Sequence, residues 1–280
     1  MFKDSFDDTF ALMDSNVQIA LLFSTLAGLS TGIGGAVVYF SKLKNTSFLS
    51  LSMAFSAGVM IYVSFVEMLP HSFDELSNVY GGTKGNIFAV GLFFSGMLLV
   101  YLIDKLIPSP EHAPIANEEE SNMDLALVKD RKGLFKTGVL VAVAIGIHNF
   151  PEGIATFVSS MNDLSKGAII AFAIAMHNIP EGIAVATPIY YSTGSKRKAF
   201  LYALLSGLAE PLGAILTFYF LGDVIGDKFF GFIMAFIAGI MIYISIDFLL
   251  PSSVKYGNNK LMTRGIVAGM FVMAVSLLFE

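Results

Sequence analysis

Apolar residues in this chain gather in eight runs, each near the roughly 20 residues that a helix needs to cross the core of a bilayer. They lie at about 17–40, 48–70, 86–107, 136–159, 166–188, 199–221, 229–250 and 261–279. The pattern predicts an all-α polytopic membrane protein with eight transmembrane helices in a single domain over residues 1–280. The longest polar break, residues 108–135, has prolines, the acidic run Glu118, Glu119 and Glu120 and no apolar periodicity, and reads as a flexible loop. Ahead of the first run, residues 1–14 carry four aspartates against one lysine. A secretory signal begins with a basic region, so this reads as an exposed acidic tail.

The polar breaks also orient the chain. Lys42, Lys44, Lys105, Lys129, Arg131, Lys132, Lys136, Lys196, Arg197, Lys198, Lys255, Lys260 and Arg264 fall on one side of an eight-helix layout. Only Lys3, Lys84, Lys166 and Lys228 fall on the other. Cytoplasmic loops collect Lys and Arg, so both termini and the second set are expected outside and the 108–135 loop in the cytoplasm.

Composition narrows the function classes. With 55% hydrophobic and 14% charged residues in 280, and a mean hydropathy of +0.72, the chain cannot hide its apolar surface in a water-soluble core; its partner is the lipid bilayer. The net charge of -5 leaves no cationic surplus for a nucleic-acid backbone, which excludes that partner. With no cysteine there is no disulfide, no thiolate zinc site, no iron–sulfur cluster and no cysteine nucleophile. Any metal must be held by His, Asn and carboxylates.

Two internal repeats stand out. Residues 55–64, Phe-Ser-Ala-Gly-Val-Met-Ile-Tyr-Val-Ser, match residues 236–245, Phe-Ile-Ala-Gly-Ile-Met-Ile-Tyr-Ile-Ser, and each segment is followed by Leu-Pro, at Leu69-Pro70 and Leu250-Pro251. Ala27-Gly28-Leu29 in the first run is echoed more weakly by Ser206-Gly207-Leu208 in the sixth. The copies are an odd number of helices apart, so they cross the bilayer in opposite directions. That predicts an inverted repeat of helices 1–3 and 6–8 around a central 4–5 pair, as in many secondary transporters.

The sharper repeat carries chemistry. His148-Asn149-Phe150-Pro151-Glu152-Gly153-Ile154-Ala155 lies in the fourth run, and His177-Asn178-Ile179-Pro180-Glu181-Gly182-Ile183-Ala184 in the fifth. At about 100° per residue, Glu152 projects about 40° from His148 and Asn149 about 100°, so the carboxylate sits between imidazole and amide. Its two oxygens can serve one ion beside the histidine and another beside the asparagine, and the same holds for His177, Asn178 and Glu181. Pro151 and Pro180 free the carbonyls of Ile147 and Met176. Glu67, Glu152, Glu181, Glu210 and Asp247 all lie within apolar runs, whereas each Lys and Arg lies near a run's end. Buried carboxylates without basic partners call for a cation, either metal ions or protons. Imidazole, carboxylate and amide together suit Zn²⁺, Fe²⁺, Co²⁺, Mn²⁺ or Cd²⁺ better than Mg²⁺, Ca²⁺ or Cu⁺.

With these paired motifs on successive helices, the whole chain resembles the ZIP (Zrt-, Irt-like) metal transporters, and most closely their bacterial zinc-uptake, ZupT-like branch. The resemblance implies a transporter, not an enzyme, that takes up zinc, with iron, manganese, cobalt or cadmium as further substrates, across the cell (inner) membrane into the cytoplasm. It also implies a binuclear centre: His148, Glu152, His177 and Glu181 around one ion, and Asn149, Asn178 and Glu210 with the shared Glu152 and Glu181 around the other. Glu210 stands beside a mid-helix proline in Leu208-Ala209-Glu210-Pro211. Many relatives carry a histidine-rich loop after the third helix; here that loop has only His112. Glu67 and Asp247, nearer the helix ends, read either as interfacial carboxylates or as entrance and exit ligands. His71, just past Pro70, reads as a solvated interface residue, with an external metal ligand as the alternative. The sequence leaves a homodimer open. Two alternatives use the same ligands: an intramembrane metalloenzyme, for which the usual His-Glu-x-x-His string is lacking, and a metal- or proton-sensing membrane protein.

The orientation has a direct test, because a chain without cysteine is a clean background for labelling. Ser5→Cys and Lys84→Cys should react with an impermeant thiol reagent on intact cells, and Lys132→Cys and Arg197→Cys should not. The opposite pattern would overturn the orientation.

Overall fold

A computed structural model of the chain describes residues 14–40, 46–106, 131–221 and 227–279. These residues form eight long helices and, among them, no strand. They are α1 (Ser15–Phe40), α2 (Thr46–Tyr80), α3 (Gly82–Leu106), α4 (Arg131–Asn162), α5 (Leu164–Thr193), α6 (Lys196–Phe220), α7 (Asp227–Ile244, continuing to Tyr256) and α8 (Asn259–Ser276). The protein is an all-α polytopic membrane protein. Of the eight helices, α1 to α7 are long and apolar enough to cross a bilayer. The eighth falls short of that measure because Asn259, Lys260 and Arg264 occupy its first turns; it packs along α2 all the same.

Helix ends differ from the hydropathy reading where polar residues extend a helix. The α4 helix begins at Arg131, so residues 131–135 of the expected loop are helical, because Arg131 and Lys132 are good helix formers that a hydropathy window does not register. Residues 108–130 of that loop, with Glu118, Glu119, Glu120 and His112, and the tail at 1–13 lie outside the described residues. The second helix runs on past Pro70 to Tyr80 as an amphipathic stretch that buries Ser72 and Leu76 against α7. Proline is absorbed at Pro70 and Pro251 alike by a widened π-helical turn just before it, at Ser64–Met68 and Ser245–Leu249. A π turn re-routes the carbonyls that a missing N–H leaves without a donor.

Small residues set the distances between helices. A Cβ placed on Gly58 would run into the Ile266 carbonyl, and one on Gly239 into that of Phe93. The same holds for Gly96 with Phe236 and Gly269 with Phe55. The first pair brings α2 onto α8 and α3 onto α7 in the same way, and the second repeats the match. Polar pins follow suit: Ser72 Oγ donates to the Gly231 carbonyl at 2.6 Å, and Ser253 Oγ to the Ser50 carbonyl at 2.8 Å. Around the paired motifs, Gly182 meets Thr31, Gly153 meets Glu210, Gly34 meets Ile179 and Gly213 meets Phe150, each at a backbone carbonyl. Without a hydrophobic drive between helices in lipid, such close backbone approach is a main source of packing energy.

The outside of this bundle is apolar. Leu26, Ile33, Phe94, Leu98, Val267 and Phe271 are each at least half exposed, as lipid-facing side chains should be. Of the seven apolar spans, α3 is the most peripheral, with 22% of its apolar window buried against 67% for α2.

These contacts predict opposite outcomes for two alanine substitutions. Ala is favoured over Gly in a helix by up to about 1 kcal/mol, so Gly91→Ala, which faces open space, should be neutral or slightly stabilising. Gly239→Ala should destabilise by about 1–3 kcal/mol through overpacking, read as a lower thermal midpoint in detergent. Equal midpoints would show that α3 and α7 do not need to touch so closely.

Candidate metal centre

The paired motifs meet where α4 and α5 pack along each other, with α1 and α6 covering them. Both helices continue without interruption through Pro151 and Pro180. His148, Asn149, Glu152, His177, Asn178, Glu181 and Glu210 are all buried. Glu152 Oε1 lies 2.9 Å from Nε2 of His148, one turn before it, and 3.0 Å from Nε2 of His177 across the helix pair. His148 Nε2 is also 3.6 Å from Glu181 Oε1. One ligand atom from each of His148, Glu152 and His177 lies within 4.8 Å of the others, a spacing that one ion can bridge.

Asn149 and Asn178 each reach across to α1 and α6, and Asn178 meets Glu210 there. Asn149 Nδ2 donates to Thr31 Oγ1 and to the Ser206 carbonyl, both at 3.4 Å. Asn178 Nδ2 donates to the Ala27 carbonyl at 3.1 Å and to Glu210 Oε1. A carbonyl can only accept, so it must face the amide nitrogen, and this fixes which way each amide points. Both amide oxygens are left over. Among the described residues, Asn149 Oδ1, Asn178 Oδ1, Glu152 Oε2, both Glu181 oxygens and Glu210 Oε2 are buried without a hydrogen-bond partner. Leaving one such acceptor unpaired costs about 1–3 kcal/mol, more if it is charged. Six such acceptors on the two motifs and Glu210 are of the kind that a cation satisfies.

A cavity of about 360 Å³ reaches this cluster along α2. His148 and Glu152 line it, as do Glu67 and His71, with Met68, Ile174 and Met234 as part of its apolar wall. Glu67 therefore shares a cavity with the cluster, and the exposed His71, 3.9 Å from Glu75, is beside it. Asp247 does not line this cavity. It bonds Tyr243 and lies near Asp104 and Lys136, which pair at 2.6 Å between α3 and α4. The sequence reading had no sign of the acceptors Thr31, Ala27 and Ser206. Two of them are backbone carbonyls, which no residue letter announces, and only the Gly-Leu echo between α1 and α6 marks their positions.

Comparison with known proteins agrees with this geometry. A family model described as ZIP Zinc transporter matches the chain in two overlapping stretches, residues 15–133 and 109–277. The chain belongs to the ZIP zinc transporter family. That family consists of transporters, not enzymes, so the metalloenzyme alternative falls. Curated members include the zinc transporter ZupT of Clostridium perfringens, 48% identical over 94% of this chain and 96% of its own length. Those of Lysinibacillus sphaericus, 50% identical over 95% and 98%, and of Streptococcus mutans, 48% identical over 95% and 99%, align as fully.

The shared position of Glu152 predicts a ranking among the family chain's carboxylates. Glu152→Ala should weaken zinc binding to the purified protein by at least about tenfold, the order seen when a metal ligand loses even its supporting hydrogen bond, with Glu67→Ala well below that. Calorimetric titration of both variants checks it; equal losses would remove Glu152 from the centre of the site.

Proposed function

We propose that this protein carries Zn²⁺, and with it other divalent transition metals such as Fe²⁺, Mn²⁺, Co²⁺ and Cd²⁺, into the cytoplasm through a binuclear centre between α4 and α5. One ion takes His148, Glu152, His177 and Glu181. The other takes Asn149, Asn178 and Glu210 and shares Glu152 and Glu181. The observation that carries this reading is the convergence of seven buried ligand side chains whose leftover oxygens have no partner except an incoming cation. These relatives are each zinc transporters, which supports zinc as a substrate.

Transport needs access from each side in turn. The cavity lined by Glu67, His71, His148 and Glu152 supports entry from the side of α2 that the Lys and Arg distribution puts outside, with Glu67 as an entrance ligand. Asp247, beside the Asp104–Lys136 pair near the opposite ends of α3 and α4, is placed to serve as an exit ligand. Matched contacts of α2 with α8 and of α3 with α7 support an inverted repeat of helices 1–3 and 6–8, whose two halves can rock about the central pair. In this arrangement the protein sits in the cell membrane with both termini outside.

The two positions differ in ligand chemistry, and so should their preferences. Two imidazoles favour Zn²⁺, whereas an all-oxygen set tolerates harder ions such as Mn²⁺ and Fe²⁺. In proteoliposomes the parent should accumulate Zn²⁺; metal binding without accumulation would favour a sensor. On the purified protein, Glu210→Ala should lose the second equivalent and keep one Zn²⁺, while His177→Ala should shift the competition order toward Mn²⁺ and Fe²⁺. An unchanged stoichiometry in the first, or an unchanged order in the second, would overturn the assignment of that position.

A further inference from the structure

The first helix brings no charged side chain to the centre, yet it packs on α4, α5 and α6 together. Its contribution is polar and local. The amide of Asn149 is held by Thr31 Oγ1 of α1 and the Ser206 carbonyl of α6; that of Asn178 is held by the Ala27 carbonyl of α1 and Glu210 of α6. The two asparagines occupy the same place in the repeated motif. Ala27-Gly28-Leu29 and Ser206-Gly207-Leu208 occupy matching places in α1 and α6, and two residues beyond each leucine stand Thr31 and Glu210. Carbonyl answers carbonyl, and hydroxyl answers carboxylate.

The surrounding space is matched as well. A Cβ on Gly28 would lie 3.2 Å from Glu210 Cβ, and one on Gly207 would lie 2.8 Å from Thr31 Cβ. Both side chains therefore start from equivalent positions under a glycine of the facing helix, and the one on α6 already accommodates a glutamate.

We propose that Thr31 is the positioning residue for Asn149, and that which of the matched positions 31 and 210 bears a carboxylate decides on which side of the centre the second ion is held. This rests on the assignment of Asn149, Asn178 and Glu210 to that ion. Thr31 and Ser206 take the two protons of the Asn149 amide, so its oxygen is held toward a cation at no further ordering cost when the ion arrives. The hydroxyl itself is neutral and adds no competing anionic ligand, so the ion stays on the α6 side with Glu210.

The test is Zn²⁺ stoichiometry and stepwise affinity on the full-length chain purified in detergent. Glu210→Thr should bind one equivalent, and Thr31→Glu combined with Glu210→Thr should bind two again, the carboxylate having moved across the centre. Thr31→Val, which keeps the shape and removes the acceptor, should weaken the second equivalent by about tenfold or more, with the first unchanged. Thr31→Ser should stay within about twofold of the parent, because its hydroxyl still accepts. A folded double variant that binds one equivalent overturns the relocation, and equal second-site affinities for Thr31→Val and the parent overturn the positioning role. Should the double variant not fold, the Val and Ser comparison decides alone. Glu210→Thr that keeps two equivalents would instead overturn the assignment of the second position.

Discussion

Carboxylates and imidazoles enclosed by helices in a bilayer are a cost that must be offset by positive charge, and the layout of the whole chain follows from that constraint. Glu152, Glu181 and Glu210 are buried with two histidines and two asparagines, while the described Lys and Arg residues stay near helix ends. An isolated carboxylate is expensive in a medium of low dielectric constant, and histidine offers a full positive charge only when protonated. The cluster is stable in its charged form to the extent that a cation enters it. Ionisable groups kept inside a membrane at such a cost mark a functional site.

Holding that cluster together depends on residues with no chemistry of their own. The buried imidazoles, carboxylates and amides come from α4, α5 and α6, and the amides are oriented by α1 as well, so four helix axes must come within side-chain reach. Gly34, Gly153, Gly182 and Gly213 make this possible, since each stands against a facing carbonyl where a methyl group would not fit. The proline of each motif adds to the effect by releasing a backbone carbonyl at the same level. The string Pro-Glu-Gly thus combines a freed acceptor, a buried carboxylate and a close-approach point in three residues.

Much of this was legible in the sequence, for physical reasons that also mark where legibility ends. Bilayer thickness imposes run length, so the helices could be counted, and duplication made the paired His-Asn-x-Pro-Glu-Gly motif conspicuous. Hydropathy failed where amphiphilicity replaced uniform apolarity. The stretch from Leu69 to Tyr80 and the start of α4 at Arg131 are helical because of tertiary packing and helix propensity, and α8 is too polar at its start to meet the length and apolarity expected of it. Spacing and resemblance singled out seven candidate residues, all of them buried, but the direction in which each asparagine points depends on the carbonyls of Ala27 and Ser206. Backbone acceptors are invisible to any reading of side-chain types. The partner of Asp247 escaped for a similar reason: Tyr243 is one turn away on its own helix, but Asp104 and Lys136 come from two others.

The cavity adds an order of events to the static site. It touches His148 and Glu152 but not Asn149, Asn178 or Glu210, so an ion entering by this route meets imidazole before amide. In the proposed reading the shared Glu152 and Glu181 then stand between the two positions. An ion moving from one to the other exchanges its nitrogen ligands for oxygen while keeping these two carboxylates in contact. Exchange of that kind avoids a fully desolvated intermediate, and the poorer match of Zn²⁺ to an all-oxygen set makes the second position one that zinc can leave. Conduction by any binding site needs that compromise, an attraction sufficient for entry and a departure that is not slow. In the proposed reading, the step from imidazole to amide along the motif, one residue apart at His148 and Asn149 and again at His177 and Asn178, supplies the gradient that the compromise requires.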